Sequence, residues 1–215
     1  MLRIYSISIL FVLATMAGCR NNTDSNPSVG VQSGSGNAID SLKTQLFTAP
    51  SADSTRERLV FLLLQQKAFT DAILHSDTLL MHQPGNPAYL FMKADALEQI
   101  GDTTNAMQEF RTAINAAGNF PDAALRLANL YAETGNAETL RLCDELLNSE
   151  TALAMRSQVL FVKGIYFVET KQTNKALAIF NEIIREDHVF MDAYIEKGLI
   201  FYDQGKYEMR IKYLL

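Results

Sequence analysis

The sequence predicts an all-α protein, a superhelix of stacked helix–turn–helix units in which about four and a half units are present. Two observations support this prediction. Short phrases recur 34 residues apart, among them Gly101 and Gly135, and Gly164 and Gly198. Within each interval, apolar side chains recur at the three- and four-residue spacing of one helix face. A fixed period of this length is typical of repeat proteins, whose units bury their apolar faces against their neighbours.

The first predicted element is a signal peptide over residues 1–18. Arg3 precedes a mostly apolar run over residues 4–17, which is too short to cross a bilayer and is typical of secretory signals. The phrase Met16-Ala17-Gly18-Cys19 resembles the lipobox of bacterial lipoproteins. That resemblance implies cleavage before Cys19 and acylation of its thiol. The alternative is an ordinary secretory signal in which Cys19 is incidental.

The lipobox resemblance also implies where the chain is held. Several acyl chains at Cys19 would anchor the protein stably in a membrane of the bacterial cell envelope. Arg20 follows the cysteine, which is more similar to lipoproteins sent to the outer membrane than to those kept at the inner membrane. We therefore expect a lipid-anchored protein at the outer membrane, on its periplasmic or surface face.

Residues 19–52 are predicted to be the lipidated cysteine and a flexible tether. Much of this segment is rich in Asn, Ser and Gly, a composition that buries too little apolar surface to fold. Only residues 38–47 carry a helical pattern, through Ile39, Leu42 and Leu46. We expect a spacer that ends in a short helix leading into the folded domain.

The repeat domain is predicted to span residues 53–215. Two extra residues around positions 148–151 are its one irregularity. In the second unit, helix A runs from Ala88 to Ile100 and ends at Gly101, where glycine can adopt the left-handed conformation. The units begin at Asp53, Pro87, Pro121, Ser157 and Met191.

These units resemble the tetratricopeptide repeat. That family has a small residue at the eighth position of each unit, a large apolar residue at the eleventh and alanine at the twentieth. The eighth positions here are Val60, Ala94, Ala128, Gly164 and Gly198. The eleventh positions are Leu63, Leu97, Tyr131, Phe167 and Phe201. The twentieth positions are Ala72, Ala106, Leu140, Ala176 and Arg210. Leu140 and Arg210 depart from the family pattern.

The resemblance implies a binding groove, the concave surface that helix A lines at positions two, five, nine, twelve and thirteen of each unit. Eight of these 25 positions are acidic and none is basic: Glu57, Asp95, Glu98, Asp122, Glu133, Glu169, Asp192 and Asp203. We expect the groove to bind a protein segment that has apolar anchors and basic flanks. The candidate binding residues are Glu57, Phe61, Phe91, Asp95, Glu98, Leu125, Asn129, Phe161, Ile165, Glu169, Ile195 and Tyr202.

Two other interpretations of the groove remain open. In the first, the acidic positions are only the solvated surface of a mildly acidic protein. In the second, the chain is a regulatory solenoid without catalysis, whose groove takes a small ligand or a glycan. Four aromatic residues could then stack on sugar rings: Phe61, Phe91, Phe161 and Tyr202.

Charge and motifs argue against other functional classes. A net charge of −5 without a basic run is not that of a nucleic-acid-binding protein. His75 and His82 are seven residues apart, which is about 10 Å along one helix and too far to share a metal ion. No phosphate-binding glycine loop or catalytic signature is present. We therefore predict a scaffold that is not an enzyme and that uses neither metal nor cofactor, with Cys143 as a small buried residue.

The sequence of the fifth unit lacks the polar cap that usually closes a repeat array. Its last apolar residues are Ile211, Tyr213, Leu214 and Leu215. We expect either a shortened version of a longer array, or an open end that docks on a partner or on a second copy of the chain.

Overall fold

The computed structural model describes residues 33–149 and 152–205. Within these ranges the chain forms ten α-helices and no strand, which confirms the predicted all-α class. The helices are α1 Ser33–Thr48, α2 Asp53–Gln65, α3 Phe69–His82, α4 Pro87–Gln99, α5 Thr103–Ala117, α6 Pro121–Glu133, α7 Glu138–Leu147, α8 Ala152–Glu169, α9 Thr173–Glu186 and α10 Met191–Asp203.

The helices after α1 are arranged as a stack of pairs. Turns of three or four residues join α2 to α3, α4 to α5, α6 to α7 and α8 to α9, and such short turns make the two helices of a pair antiparallel neighbours. We call the first helix of each pair, together with α10, an A helix, and the second a B helix. Each B helix also packs on the A helix that follows it. The described part of the chain is thus a solenoid of four helical pairs and the first helix of a fifth, as the sequence predicts.

Small and large side chains alternate inside the stack as predicted. All five residues at the eighth positions are buried, and so are all five at the eleventh. Gly164 on α8 shows why small residues are needed: a Cβ atom added there would lie 2.5 Å from Cε1 of Phe180 on α9. Real Cβ atoms do not come that close to another carbon, so the two helices could not keep their present separation.

The start of α7 corrects the predicted repeat register. Leu140, the predicted twentieth residue of the third unit, is only partly buried, whereas Thr139 is fully buried. The Thr139 hydroxyl donates a hydrogen bond to the carbonyl oxygen of Ala128 at 3.4 Å. Thr139 therefore takes the place that alanine holds in the other three pairs.

A tighter first turn explains this shift. The backbone N–H groups of Thr139 and Leu140 bond to carbonyls three residues earlier, those of Asn136 and Ala137. In α5 the matching bond, from Ala106 to the Asp102 carbonyl, spans four residues. A turn closed by hydrogen bonds to the third preceding residue rises more per residue than an α-helical turn. The first residue of α7 that packs against α6 is therefore Thr139, one residue before the position that the repeat pattern predicts.

Helix α1 replaces part of the predicted tether. It begins at Ser33, before the helical pattern that the sequence predicts from residue 38, so residues 33–37 are helical rather than coil. Ile39, Leu42 and Leu46 are buried against Leu59, Val60 and Leu63 of α2. These three side chains form the apolar seam that ties α1 to the first pair. The predicted signal peptide, Cys19 and the tether up to residue 32 lie outside the described residues.

Helix α8 begins earlier than the predicted unit start at Ser157. Its first turn adds Ala152 to Arg156, and Arg156 forms ion pairs with Glu182 at 2.7 Å and Glu186 at 2.8 Å on α9. Residues 206–215, including Arg210 and the apolar C-terminal residues, lie outside the described part. No helix in the described ranges is long and apolar enough to span a bilayer.

Candidate functional site

The A helices form the inner layer of the stack. Helix α2 contacts α4, and α6 contacts α8, whereas the B helices of neighbouring pairs make few or no such contacts. A curved stack brings its inner helices closer together than its outer ones, as in other helical solenoids. The groove positions predicted from the sequence lie on these A helices, and their exposure differs from one helix to the next.

Four of the predicted groove residues are buried in the hydrophobic interior. They are Leu125, Asn129, Phe161 and Ile165, each less than a tenth exposed. Phe91 is partly buried, with its ring 5.6 Å from that of Phe110 and 5.2 Å from that of Phe120. These residues sit at the junctions between repeats, so packing uses most of their surface.

The remaining predicted apolar residues are exposed at the two ends of the described stack. Phe61 on α2 is 42% exposed, and on α10 Ile195 is 42% and Tyr202 is 46% exposed. Neighbouring helix axes lie about 8–10 Å apart, and α4, α6 and α8 separate α2 from α10. Phe61 and Tyr202 thus lie too far apart to stack on one short sugar chain, while Phe91 and Phe161 are packed inside.

Arg126 on α6 joins two of the predicted acidic residues of α4. Its Nη2 atom lies 2.7 Å from Oδ1 of Asp95, and its Nε atom donates to Oε2 of Glu98 at 2.9 Å. Burial raises the pKa of both carboxyls, and the Arg126 charge opposes that rise. The predicted acidic strip is therefore partly neutralised in its middle. Sequence reasoning missed Arg126 because it stands at the sixth position of its unit, outside the positions that the family resemblance assigns to the groove.

Glu133 on α6 has the most strongly altered carboxyl of the groove. Burial, together with the charges of Glu98 and Glu169, raises its pKa to about 7. Arg126 and the Asn129 side chain, whose Nδ2 donates to Oε1 of Glu133 at 3.0 Å, act in the opposite direction. Sequence reasoning placed Glu133 among the acidic positions and could not anticipate this shift, which arises from three neighbouring helices.

Glu98, Glu133 and Glu169 form what we call the carboxylate row. They come from α4, α6 and α8, three consecutive A helices, and Glu133 senses the charges of both others. Glu57 lies partly buried on α2, one A helix further along. The row can attract a cation, and because Glu133 gains its charge near neutral pH, its attraction increases as pH rises through about 7.

Two histidines and the cysteine of the described region have contacts within the stack. His75 accepts a hydrogen bond from Arg56 at 3.0 Å, if its Nδ1 atom is unprotonated, and His82 contacts Asp53 at 2.6 Å. Burial raises the pKa of the Cys143 thiol to about 12, so it is not a nucleophile at neutral pH. Among the described residues no three His, Cys, Asp or Glu side chains come together in a way that could hold a metal ion.

Comparison with known proteins supports the tetratricopeptide repeat family. The family model described as Tetratricopeptide repeat matches residues 62–124. A tetratricopeptide repeat protein from Parabacteroides merdae has a similar structure, with a TM-score of 0.73 and 17% identity, over 83% of this chain and 70% of that one. YrrB, described as a tetratricopeptide repeat protein with an unusual peptide-binding site, gives a TM-score of 0.60 and 13% identity, over 82% of this chain and 90% of its own.

One human protein also matches in sequence. General transcription factor 3C polypeptide 3 is 27% identical over 151 residues, which is 66% of this chain. The chain spans only 17% of the length of that curated relative. The similar solved structures show the repeat fold.

Proposed function

We propose that this chain is a lipid-anchored scaffold of the bacterial cell envelope that holds a segment of another protein in the groove of its A helices. The segment carries apolar anchors and Lys or Arg flanks. The observation that carries the proposal is the carboxylate row, which three consecutive A helices present on one side and which Arg126 offsets only in part.

Both parts of the proposal have separate support. Protein binding follows from the solenoid fold and from the peptide-binding site described for YrrB, a protein of similar fold. Anchoring in the envelope rests on the resemblance of Met16-Ala17-Gly18-Cys19 to a lipobox. Arg20 after that cysteine supports the outer membrane, on its periplasmic or surface face, over the inner one.

The spacing of the A helices indicates the length of the bound segment. A segment that follows the carboxylate row crosses α4, α6 and α8, which at about 8–10 Å between helix axes is roughly 20 Å. An extended chain covers that distance with about six residues at ~3.3 Å each. Two or three basic residues within such a segment can therefore meet the row at once.

The proposal is tested by the pH dependence of peptide binding. We expect a short Leu- and Lys-containing peptide to bind more tightly at about pH 8 than at about pH 6, because Glu133, with a pKa of about 7, becomes charged in between. The expected gain is about fivefold, the effect of ~1 kcal/mol between charges about 4 Å apart in water. Fluorescence anisotropy with a labelled peptide measures it.

Two variants decide whether Glu133 is responsible. Glu133→Gln should remove most of the pH dependence, because glutamine keeps the hydrogen bond with Asn129 but carries no charge. Asp71→Asn, on the exposed side of B helix α3, is the matched control and should retain it. Equal affinity for a peptide with Glu in place of Lys, or a pH profile unchanged by Glu133→Gln, would exclude the groove as proposed.

The anchor is tested separately by intact mass. Protein isolated from membranes of a bacterial host should lack residues 1–18 and carry acyl chains on Cys19, whereas Cys19→Ser should remain unprocessed. Recovery of the chain with Cys19 intact as a full-length, unacylated protein would refute the lipid anchor and leave the groove proposal untouched.

A further inference from the structure

A second concave site lies on the other side of α6 from the carboxylate row. An open pocket of about 260 Å³ is formed by α6 and by the B helices α5 and α7 on either side of it. Tyr131 lines it from α6. Tyr131 and Glu133 are two residues apart, so they point about 200° apart around the helix at 3.6 residues per turn. The pocket is therefore separate from the groove and none of its residues belongs to the proposed binding site.

Apolar side chains form the floor of this pocket. Ile114 of α5, Leu127 of α6 and Leu142 of α7 line it, and Leu127 and Leu142 are themselves nearly fully buried in the hydrophobic interior. The polar side chains that line it are Arg111, Asn115, Tyr131, Glu138 and Arg141. An apolar floor with a few converging polar groups is the usual composition of a small-molecule site.

Two of the polar groups offer hydrogen-bond donors to the pocket. The Arg111 guanidinium donates to the Tyr131 hydroxyl oxygen, and since that oxygen accepts, the hydroxyl proton is left to donate elsewhere. Tyr131 is only 7% exposed, and it lines the open pocket, where a bound ligand can accept its hydroxyl proton.

The charge around the pocket favours a single negative charge. Arg141 is already compensated by Glu138 at 2.8 Å and Glu145 at 2.6 Å. No carboxylate of the described residues forms an ion pair with Arg111, whose planar guanidinium can still bind two oxygens side by side. Arg111, which has no carboxylate partner within the part of the chain that the structure describes, lies at the same pocket as the Glu138 carboxylate. This balance of charge suits a monoanion and disfavours a phosphate dianion.

We propose that this pocket binds a carboxylate attached to a compact branched apolar body. The carboxylate accepts from the Arg111 guanidinium and from the Tyr131 hydroxyl, and the apolar body lies on Ile114, Leu127 and Leu142. A volume of about 260 Å³ admits a leucine-sized acid, either as a free small molecule or as the C-terminal residue of a peptide.

Titration of the full chain with matched probes tests this proposal. Isocaproate supplies the carboxylate on a leucine-like body, isocaproamide has the same shape without the charge, and inorganic phosphate supplies an anion without the body. We expect isocaproate to bind at least tenfold more tightly than either of the other two, as measured by chemical-shift changes in the protein. A leucine-ending tripeptide with a free or an amidated C terminus then shows whether a chain terminus is the better source of the carboxylate.

Variants show whether the named donors carry the binding. Arg111→Gln should weaken isocaproate binding about tenfold or more, and Tyr131→Phe, which keeps the ring that packs in the interior, about threefold to tenfold. Arg185→Gln, at an arginine 75% exposed on α9, is the control and should bind as the unmodified chain does. Circular dichroism confirms that each variant is folded.

Three results would overturn the proposal. They are an absence of binding by isocaproate and by the free tripeptide, equal binding of acid and amide, and an affinity for isocaproate that neither Arg111→Gln nor Tyr131→Phe changes. None of these outcomes depends on whether a basic peptide binds to the carboxylate row, because the two sites share no residue.

Discussion

At Gly164 the backbone of α8 lies against the ring of Phe180 on α9. The Phe180 ring is fully buried, so it has no free space into which to move. A side chain at this position has to displace either the ring or the helix. The small residues at the other eighth positions, such as Ala94 and Ala128, allow the same close approach in their own pairs.

We expect Gly164→Ala to destabilise the protein although alanine is the better helix former. The added Cβ meets Phe180 at 2.5 Å, and overpacking of this kind costs about 1–3 kcal/mol. Alanine gains ~1 kcal/mol over glycine within a helix, so the net loss of stability is up to about 2 kcal/mol. Gly164→Leu should be worse. Thermal and urea unfolding followed by circular dichroism measure the effect.

Gly36 is the matched control for this substitution. It also lies in a helix, α1, and no atom stands within 4 Å of an added Cβ. Gly36→Ala should therefore be neutral or stabilising by up to about 1 kcal/mol. If both alanine variants had the same melting temperature as the unmodified protein, the close contact at Gly164 would be refuted.

At the scale of single helices, α7 departs most from the repeat pattern. It has 10 residues, against 14 or 15 in α3, α5 and α9. Its tight first turn places Thr139, rather than Leu140, against α6. The sequence could show only that Leu140 fits the repeat pattern poorly. A shift of one residue in the first turn of α7 does not change the positions of the glycines from which the period was recognised.

Substitutions that enlarge the side chain at position 139 and shorten the one at position 140 test whether Thr139 is the residue that packs against α6. Thr139→Leu should lower the free energy of unfolding by about 1–3 kcal/mol, because the site is enclosed. Leu140→Ala should also destabilise, by about 1–2 kcal/mol, less than the 2–5 kcal/mol of a fully buried leucine. Denaturant unfolding measures both effects.

An exposed threonine provides the comparison for this pair. Thr112 on α5 is exposed and donates to the carbonyl of Gln108, so Thr112→Leu should change stability by no more than about 0.5 kcal/mol. A gain in stability from Leu140→Ala would instead support the register that the sequence predicts, in which a small residue belongs at position 140.

For the whole molecule, the stack of pairs makes each part depend mainly on its neighbours. Helix α1 packs on α2 and covers the apolar side of the first pair. Among the described helices, it does not pack on α5 or on any later helix. In such a linear array, stability is close to a sum of units and of the interfaces between them. Damage at one end should therefore remain local.

We expect Leu42→Ala to loosen only the first part of the stack. Leu42 is 7% exposed in the seam with α2, and the loss of such a leucine costs about 2–5 kcal/mol. Hydrogen exchange should become faster in α1, α2 and α3 and stay unchanged in α8 and α9. Thr44→Ala, on the exposed side of α1, should alter neither region. Uniformly faster exchange in all of these helices would show that the described stack unfolds as one unit.

The sequence by itself determined the helical class and the buried eighth and eleventh positions, because these follow from the spacing of apolar residues along one helix at a time. Only the tertiary structure decided which groove residues remain accessible. Phe161 and Ile165 became part of the interior, Arg126 came to neutralise carboxylates from the preceding A helix, and the pKa of Glu133 rose under the influence of three helices. Burial and charge at these positions depend largely on side chains of other helices that are distant in sequence and adjacent in space, and a repeat pattern contains no information about such neighbours.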